Sequence, residues 1–182
     1  MNKREKIILY SLLALLGAAV IFFAAYRYRE RIFGINRILV YFVSYDESAN
    51  RPFLLPVGRK VSPFLKVEKR ARAAIEELLK GPSPDEEKNG IATAMPQKAI
   101  LKDLYVEDGI LYVDFSKEIE EGGGSLLMTE RLAQIVFTAT QFETVEKVRL
   151  KIAGSYIEYF SGEGITDVDS PMTRENFEEF NR

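Results

Sequence analysis

The residues that could perform chemistry in this chain are few in kind. Its 182 residues include no His, no Cys and no Trp. A Ser-His-Asp triad, a Cys nucleophile and a His general base are therefore excluded, as are disulfides and zinc sites with thiolate or imidazole ligands. Asp, Glu, Lys, Ser and Tyr remain, with metal sites built from oxygen ligands. We predict no catalytic site, no metal site and no cofactor.

One pair of carboxylates is placed by a predicted turn. Asp108-Gly109 is a strong signal for a two-residue hairpin turn, and this register puts Tyr105 opposite Tyr112 and Asp103 opposite Asp114. Directly opposed carboxylates, about 5 Å apart, suit a retaining glycosidase or a cation site. We prefer the interpretation that both lie on a solvated face and are offset by cations. The two tyrosines would then form a platform on which a glycan could stack.

A basic strand face is the first candidate for binding a partner. Lys147, Arg149 and Lys151 alternate with three apolar residues, a period that is typical of a strand with one buried side. This strand could lie beside the predicted hairpin and supply the cations that offset the two aspartates. An acidic partner or lipid headgroups would suit such a face, although basic faces are more often solvated.

A predicted edge strand is the second candidate. Leu55, Arg59 and Lys60 lie in a strand over residues 53–61 that contains a proline and a glycine, which favours an edge position. An edge offers unpaired N–H and C=O groups to another chain. We therefore predict that these three residues bind a partner by strand addition.

Two loops have compositions that suit ions. Glu163, Asp167 and Asp169 surround two glycines, as in some calcium loops, but their spacing fits no EF-hand. Residues 122–124 are three glycines before a helix, where an anion could sit, but the lysine of a phosphate-binding loop is missing. A solvated loop is the preferred interpretation of both.

The elements that would position these residues follow from periodicity and turn signals. We predict an α+β fold with an antiparallel sheet of about five or six strands, two helices packed on one face, and one preceding transmembrane helix. The predicted strands are 37–43, 53–61, 100–106, 110–115, 148–152 and 156–160, and the predicted helices are 67–80, 125–141 and a short one in the tail. Ser83 and Glu86 are expected to form a capping box before a single helical turn, and Ser125 is expected to cap the second long helix. The inner face predicted for the first helix consists of Val67, Ala71, Ala74, Ile75, Leu78 and Leu79.

The membrane segment is Ile7–Tyr26, twenty residues without a charge. As a helix it would be about 30 Å long, the thickness of a hydrocarbon core. A buried helix and a cleaved signal peptide are the alternatives to an uncleaved signal anchor, which we favour. We predict a cytoplasmic segment 1–6, a transmembrane anchor 7–26, a juxtamembrane linker 27–36 and one extracytoplasmic domain 37–182.

The charge of the domain limits its partners. Residues 1–35 carry six cations and two anions, which leaves 19 cations and 25 anions in residues 36–182, a net charge of −6. An acidic domain without a basic cluster is a poor nucleic-acid binder, so we expect no nucleic-acid partner.

Five segments follow one another in a recognisable order: LLKGPSPDE, IATAMP, VEDGILYVDFS, LAQIVFTATQF and DSPMTRENF. This order resembles the GerMN domain of the spore germination and sporulation protein M type, over about Leu39 to Phe177. It implies a membrane-tethered extracytoplasmic domain, related to the ring-building modules of sporulation envelope complexes. It further implies a role in assembly, with no known catalysis.

We therefore expect a membrane-anchored, extracytoplasmic protein of the bacterial cell envelope that acts by protein–protein docking. Its expected partners are envelope or membrane proteins and the bilayer, with oligomerisation left open. One alternative is an envelope glycan hydrolase that uses Asp103 and Asp114. A glycan-binding module without turnover is the other.

Overall fold

The computed structural model of the chain describes Tyr10 and residues 15–23, 37–62, 64–161 and 168–181. Its strands are β1 (Arg37–Asp46), β2 (Arg51–Lys60), β3 (Leu101–Glu107), β4 (Ile110–Phe115), β5 (Lys147–Ile152) and β6 (Ser155–Tyr156). Among the described residues from Arg37 onward, the helices are α1 (Val67–Lys80), α2 (Pro84–Lys88) and α3 (Ser125–Ala139). Two 3₁₀ segments lie at Lys117–Glu120 and Arg174–Phe180.

The strands form two sheets, and the prediction of a single antiparallel sheet of five or six strands is wrong. β1 and β2 form a two-stranded antiparallel sheet, while the second sheet has the order β3-β4-β5-β6. In that sheet β4 and β5 are parallel and the other pairs are antiparallel. The connection from β4 to β5 passes through α3, and a crossover of this length allows parallel strands. Apolar alternation marks strands in a sequence but carries no information about their direction.

Side chains of α3 and of the turn directly after it close the outer edge of β1. Gln141 bonds both backbone groups of Leu39 at 2.6 Å, and Thr138 accepts the Tyr41 N–H at 3.1 Å. Gln134 donates to the Tyr41 carbonyl oxygen at 2.9 Å. Gln134 and Thr138 are four positions apart on one side of α3, and Gln141 lies in the turn directly after the helix. The edge of β1 is thus paired with a helix, which keeps the two sheets separate.

The outer edge of β1 is also occupied further along the strand, where Val43 exchanges two backbone hydrogen bonds of 2.8 Å with Ala92.

The core lies between the helices and the two sheets. α1 and α3 contact each other and β1, while α1 also contacts β3 and α3 also contacts β5. The predicted inner face of α1 is confirmed, since Ala71, Ala74, Ile75 and Leu78 are buried. α3 is buried on all sides from Glu130 to Ala139. The four-stranded sheet therefore has one buried face, formed by Leu104, Leu111, Val113, Phe115, Val148, Leu150 and Ile152.

Several local predictions can be compared with the structure. Ser83 and Glu86 form the predicted capping box at α2. The predicted cap of α3 is wrong, because Gly124 is the N-cap and Ser125 is the first helical residue. The predicted strand 156–160 is reduced to β6, and the tail forms a 3₁₀ segment that Thr173 caps.

The chain divides into two compact units, residues 1–36 and residues 37–182. In the first unit, Tyr10 and residues 15–23 are helical, and the rest of the predicted anchor, the segment 1–6 and the linker 27–36 lie outside the described residues. None of the helices that the structure describes has both the length and the apolar character needed to cross a bilayer.

Candidate functional site

The candidate site is the solvent side of the four-stranded sheet, called here the open face. Successive side chains of a strand point to opposite sides of a sheet, so the residues between the buried ones lie together on this side. The open face carries Asp103, Tyr105, Tyr112, Asp114, Arg149, Lys151 and Tyr156, with Glu107, Ile110 and Lys147 nearer the hairpin turn.

The predicted register of the β3–β4 hairpin is confirmed. Tyr105 pairs with Tyr112 and Asp103 with Asp114. The turn residues Asp108 and Gly109 have φ values of 48° and 78°, as a type I′ turn requires. A turn with this twist fixes the register from Glu107 back to Asp103, so the opposition of the two aspartates follows from it. Beyond Asp103 the register shifts, at an irregularity between Leu101 and Asp103.

The basic strand lies where it was expected, beside the hairpin. In the parallel pairing of β4 with β5, Tyr112 is opposite Arg149 and Asp114 is opposite Lys151. Lys147, the third predicted residue, is exposed at the start of β5. Cations of β5 therefore adjoin the carboxylate and the tyrosine of β4.

Three tyrosines and one lysine form a compact cluster at the centre of the open face. The rings of Tyr105 and Tyr112 stack at 4.7 Å with an interplanar angle of 10°, and Tyr156 meets Tyr112 edge-on at 6.5 Å. The Lys151 Nζ lies 5.3, 5.8 and 4.6 Å from the centroids of Tyr105, Tyr112 and Tyr156, respectively. It also donates to the Tyr105 hydroxyl oxygen at 3.2 Å. Each ring attracts the ammonium group through its quadrupole, so Lys151 is held in one place.

The protonation states in this cluster are well defined. The hydrogen bond to Tyr105 raises the pKa of Lys151 above its ordinary value, against a smaller opposing effect of desolvation. Desolvation raises the pKa of Tyr112. Near neutral pH the cluster therefore presents a cationic ammonium group and a neutral Tyr112 hydroxyl.

Both aspartates are oriented by hydrogen bonds. Asp103 accepts the N–H of Leu104 at 2.8 Å and pairs with Arg72 at 3.4 Å. Asp114 accepts the N–H of Gly154 at 2.9 Å. A depression of about 160 Å³ opens to solvent between them and is lined by Asp103, Tyr105, Tyr112, Asp114, Lys151 and Gly154.

The surroundings of Asp103 differ from those of a glycosidase acid. A glycosidase needs one carboxyl group that is kept protonated in an apolar pocket. The Asp103 side chain is 66% exposed and adjoins a guanidinium group, so it lacks such a pocket. The described residues also contain no group of three or more acidic side chains that could hold a metal ion. Of the proposed calcium loop, Glu163 and Asp167 lie outside the described residues.

Arg149 stabilises the outer part of the open face. Its guanidinium group donates to the carbonyl oxygen of Val168, which is buried, and lies 5.1 Å from the centroid of Tyr156. It thereby links β6 to the chain segment near the C-terminus.

The residues predicted on β2 have a different environment. Leu55 is half-buried opposite Phe42, and Lys60 is exposed opposite Arg37. Arg59 makes two hydrogen bonds of 2.6 and 2.7 Å to the carboxylate of Glu86 and a contact of 3.5 Å with Glu77. The Arg59 hydrogen bonds lower the pKa of Glu86 to about 2. Arg59 therefore links β2 to α1 and α2, and its charge is already matched.

The outer edge of β2 is poor in hydrogen-bond donors. The backbone groups of Tyr41 point away from β2, since they bond α3. Pairs alternate in an antiparallel ladder, so the β2 residues opposite Tyr41 and Tyr45 also point outward, and these are Pro56 and Pro52. A proline has no N–H to donate, which hinders the addition of another strand. The Leu55 backbone, by contrast, points inward to Phe42.

The outer edge of β3 is also partly closed. The Leu104 N–H bonds the Asp103 carboxylate, and its carbonyl oxygen accepts a hydrogen bond of 3.3 Å from Arg72. These side chains occupy backbone groups that another strand would need.

Two features of the site were missed from the sequence. Tyr156 was placed in a strand but not on the open face, although its position after the Gly154 turn could have indicated it. The second feature is the set Gln134, Thr138 and Gln141, which bonds the edge of β1 and which no pattern in the sequence indicated.

The family of this chain follows from its sequence. A model described as "Germane: Sporulation and spore germination" matches residues 39–158, more than half of the chain. The chain therefore belongs to this family, and residues 39–158 form a GerMN-type domain. None of the curated proteins matches it.

Three solved structures share the fold. The first GerMN domain of the sporulation protein GerM from Bacillus subtilis has a TM-score of 0.59 and 20% identity, over 76% of this chain and 98% of that one. The tandem GerMN domains of the same protein give 0.56 and 24%, over 76% and 44%. A putative lipoprotein from Clostridium perfringens gives 0.54 and 22%, over 77% and 88%. The chain thus spans less than half of the tandem structure, and these identities establish the fold alone.

Proposed function

We propose that this chain is a membrane-anchored binding protein that acts without catalysis outside the cytoplasm, in the assembly of the cell envelope during sporulation or germination. The family description supports the process. Support for the anchor comes from the described helical residues 15–23, whose large apolar side chains are between 62% and 74% exposed. Such side chains are stabilised by a lipid environment.

The observation that carries the proposal is the organised cluster on the open face. A binding surface needs side chains that are held in place before the partner arrives, because ordering them during binding costs free energy. Lys151 and the three tyrosines meet this requirement. We therefore place the docking surface on the open face. The edge of β2 is a weaker candidate, since two outward positions are prolines and Arg59 is engaged by Glu86.

The proposal is tested by crosslinking in sporulating cells. A tagged full-length chain carrying Lys151→Met should lose most of its crosslinks to envelope components, because the cluster loses its ammonium group. Lys60→Met, which removes an exposed lysine from the other sheet, is the matched control and should keep them. If the two variants retain the same crosslinked species as the parent, the open face is not the docking surface. Loss with Lys60→Met alone would instead indicate the edge of β2.

The location is tested separately. Protease added to intact protoplasts should remove the folded domain from the membrane fraction. Full protection of the domain would contradict an extracytoplasmic position.

A further inference from the structure

The open face has a mixed charge that restricts its ligand. Asp103, Glu107 and Asp114 contribute three negative charges, and Lys147, Arg149 and Lys151 contribute three positive ones. An acidic peptide or a nucleic acid would meet the carboxylates, and a basic peptide would meet the cations. Electrostatic complementarity therefore favours a ligand without strong net charge.

The same groups offer both donors and acceptors to a ligand. Oδ1 of each aspartate is bonded to the protein, whereas neither Oδ2 has a hydrogen bond among the described residues. The Lys151 ammonium group has three N–H donors. One is used by Tyr105, so donors remain for a ligand.

Aromatic surface lies next to these polar groups. The Tyr156 residue is 53% exposed, and its ring continues the cluster beyond Tyr112. A site that combines flat apolar rings with fixed donors and acceptors suits a molecule with C–H faces and many hydroxyl groups.

The size of the depression limits what enters it. Its volume of about 160 Å³ is below the roughly 300–1,000 Å³ of sites for drug-sized ligands. It has room for one ring of a longer chain, with neighbouring units lying along the open face.

We infer that the open face binds a neutral carbohydrate chain of the cell envelope, with one sugar ring seated between Asp103, Asp114 and Lys151. The aspartates accept hydrogen bonds from sugar hydroxyl groups, Lys151 donates one, and Tyr156 contacts a C–H face. This inference rests on the proposed function, since it names the partner of the same surface.

Binding is measured with the full-length chain in detergent micelles. The first assay is co-sedimentation with an insoluble uncharged polymer of N-acetylhexosamine, and the second is titration with its soluble oligosaccharides. Because the chain contains no Trp, tyrosine emission reports the second assay directly. We expect binding in both assays, with the emission changed by the ligand.

Two variants test the contacts. Tyr156→Ala removes an exposed ring, and we expect the Kd to rise about tenfold, the scale of losing one stacked aromatic contact. Asp114→Asn keeps an oxygen for the Gly154 N–H but removes the charge, and we expect a similar loss. Tyr45→Ala is the matched control, because Tyr45 is equally exposed, at 53%, on the two-stranded sheet. Thermal unfolding of each variant verifies that it is folded.

The outcomes separate this inference from the proposed function. If the parent binds no glycan, or if Tyr156→Ala and Asp114→Asn bind as tightly as Tyr45→Ala, the carbohydrate inference is overturned. Should crosslinking in cells still depend on Lys151 in that case, the open face docks a protein and the proposed function stands. If crosslinking does not depend on Lys151 either, both are overturned.

Discussion

The hydrogen bonds between α3 and β1 are expected to stabilise the fold, and the structure indicates by how much. Gln134 is fully buried and bonds two backbone groups, the Ala94 N–H at 2.7 Å and the Tyr41 carbonyl oxygen at 2.9 Å. In Gln134→Leu both groups lose their partner while the shape of the side chain is nearly kept. The change therefore tests whether a helix can serve as the neighbour of a strand.

The expected loss follows from two opposing effects. Each buried backbone group left without a partner costs about 1–3 kcal/mol. Burial of the apolar leucine side chain in place of an amide offsets about 1–2 kcal/mol of that combined cost. We expect a net destabilisation of about 2–3 kcal/mol, which lowers the Tm of a domain of this size by about 6–10 °C.

The assay is thermal and urea unfolding of the full-length chain, followed by circular dichroism. Gln97→Leu is the matched control, because Gln97 is exposed in a turn, and its effect should stay within about 0.5 kcal/mol. Gln141→Leu should lie between the two, since Gln141 is half-buried and water can replace part of its bonds to Leu39. A loss in Gln134→Leu no larger than in Gln97→Leu would refute the idea that these side chains hold the edge of β1.

Three further predictions concern charge and backbone. The pKa of Glu86 is depressed to about 2 by Arg59, so the pair stabilises the fold above about pH 5 and loses its effect as the pH falls toward 2. Arg59→Met should therefore lower the free energy of unfolding, measured in urea, by about 1–2 kcal/mol at pH 6 and by much less at pH 2.5. Gly123→Ala should lower the Tm measured by calorimetry, because φ is +90° and a Cβ atom would lie 2.3 Å from Leu127; an unchanged Tm would contradict this. Asp114→Asn should raise the free energy of unfolding by a few tenths of a kcal/mol, because directly opposed like charges repel, and a loss of stability would show that the repulsion is already compensated.

The register of the site was predictable because it depends on local chemistry. Asp108-Gly109 fixes the turn, and the turn fixes which residues face each other across β3 and β4. The alternation of Lys147, Arg149 and Lys151 with apolar residues likewise identified the exposed side of β5. These inferences need only the period of a strand and the geometry of a short turn.

The arrangement of the strands was not predictable on the same grounds. Whether β4 and β5 run parallel depends on how α3 packs between them, which is a long-range property. The separation of the sheets depends on Gln134 and Thr138, and in a sequence these read as ordinary polar positions of a helix. Propensity and periodicity describe one element at a time, so contacts between elements lie beyond them.

Because several sheet edges are closed, the open face is the surface that the fold leaves for a partner. A sheet can engage a partner through its edge or through a face. The edge of β1 is bonded by α3, the edge of β2 presents two prolines, and the edge of β3 is occupied at Leu104 by Arg72. The open face, in contrast, keeps three tyrosines and two opposed carboxylates toward solvent. Opposed carboxylates repel each other, and Arg72 and Lys151 adjoin this pair while leaving it open to solvent. Under the proposed function, any stability that this repulsion costs is exchanged for ligand affinity, the usual relation between a binding site and its scaffold.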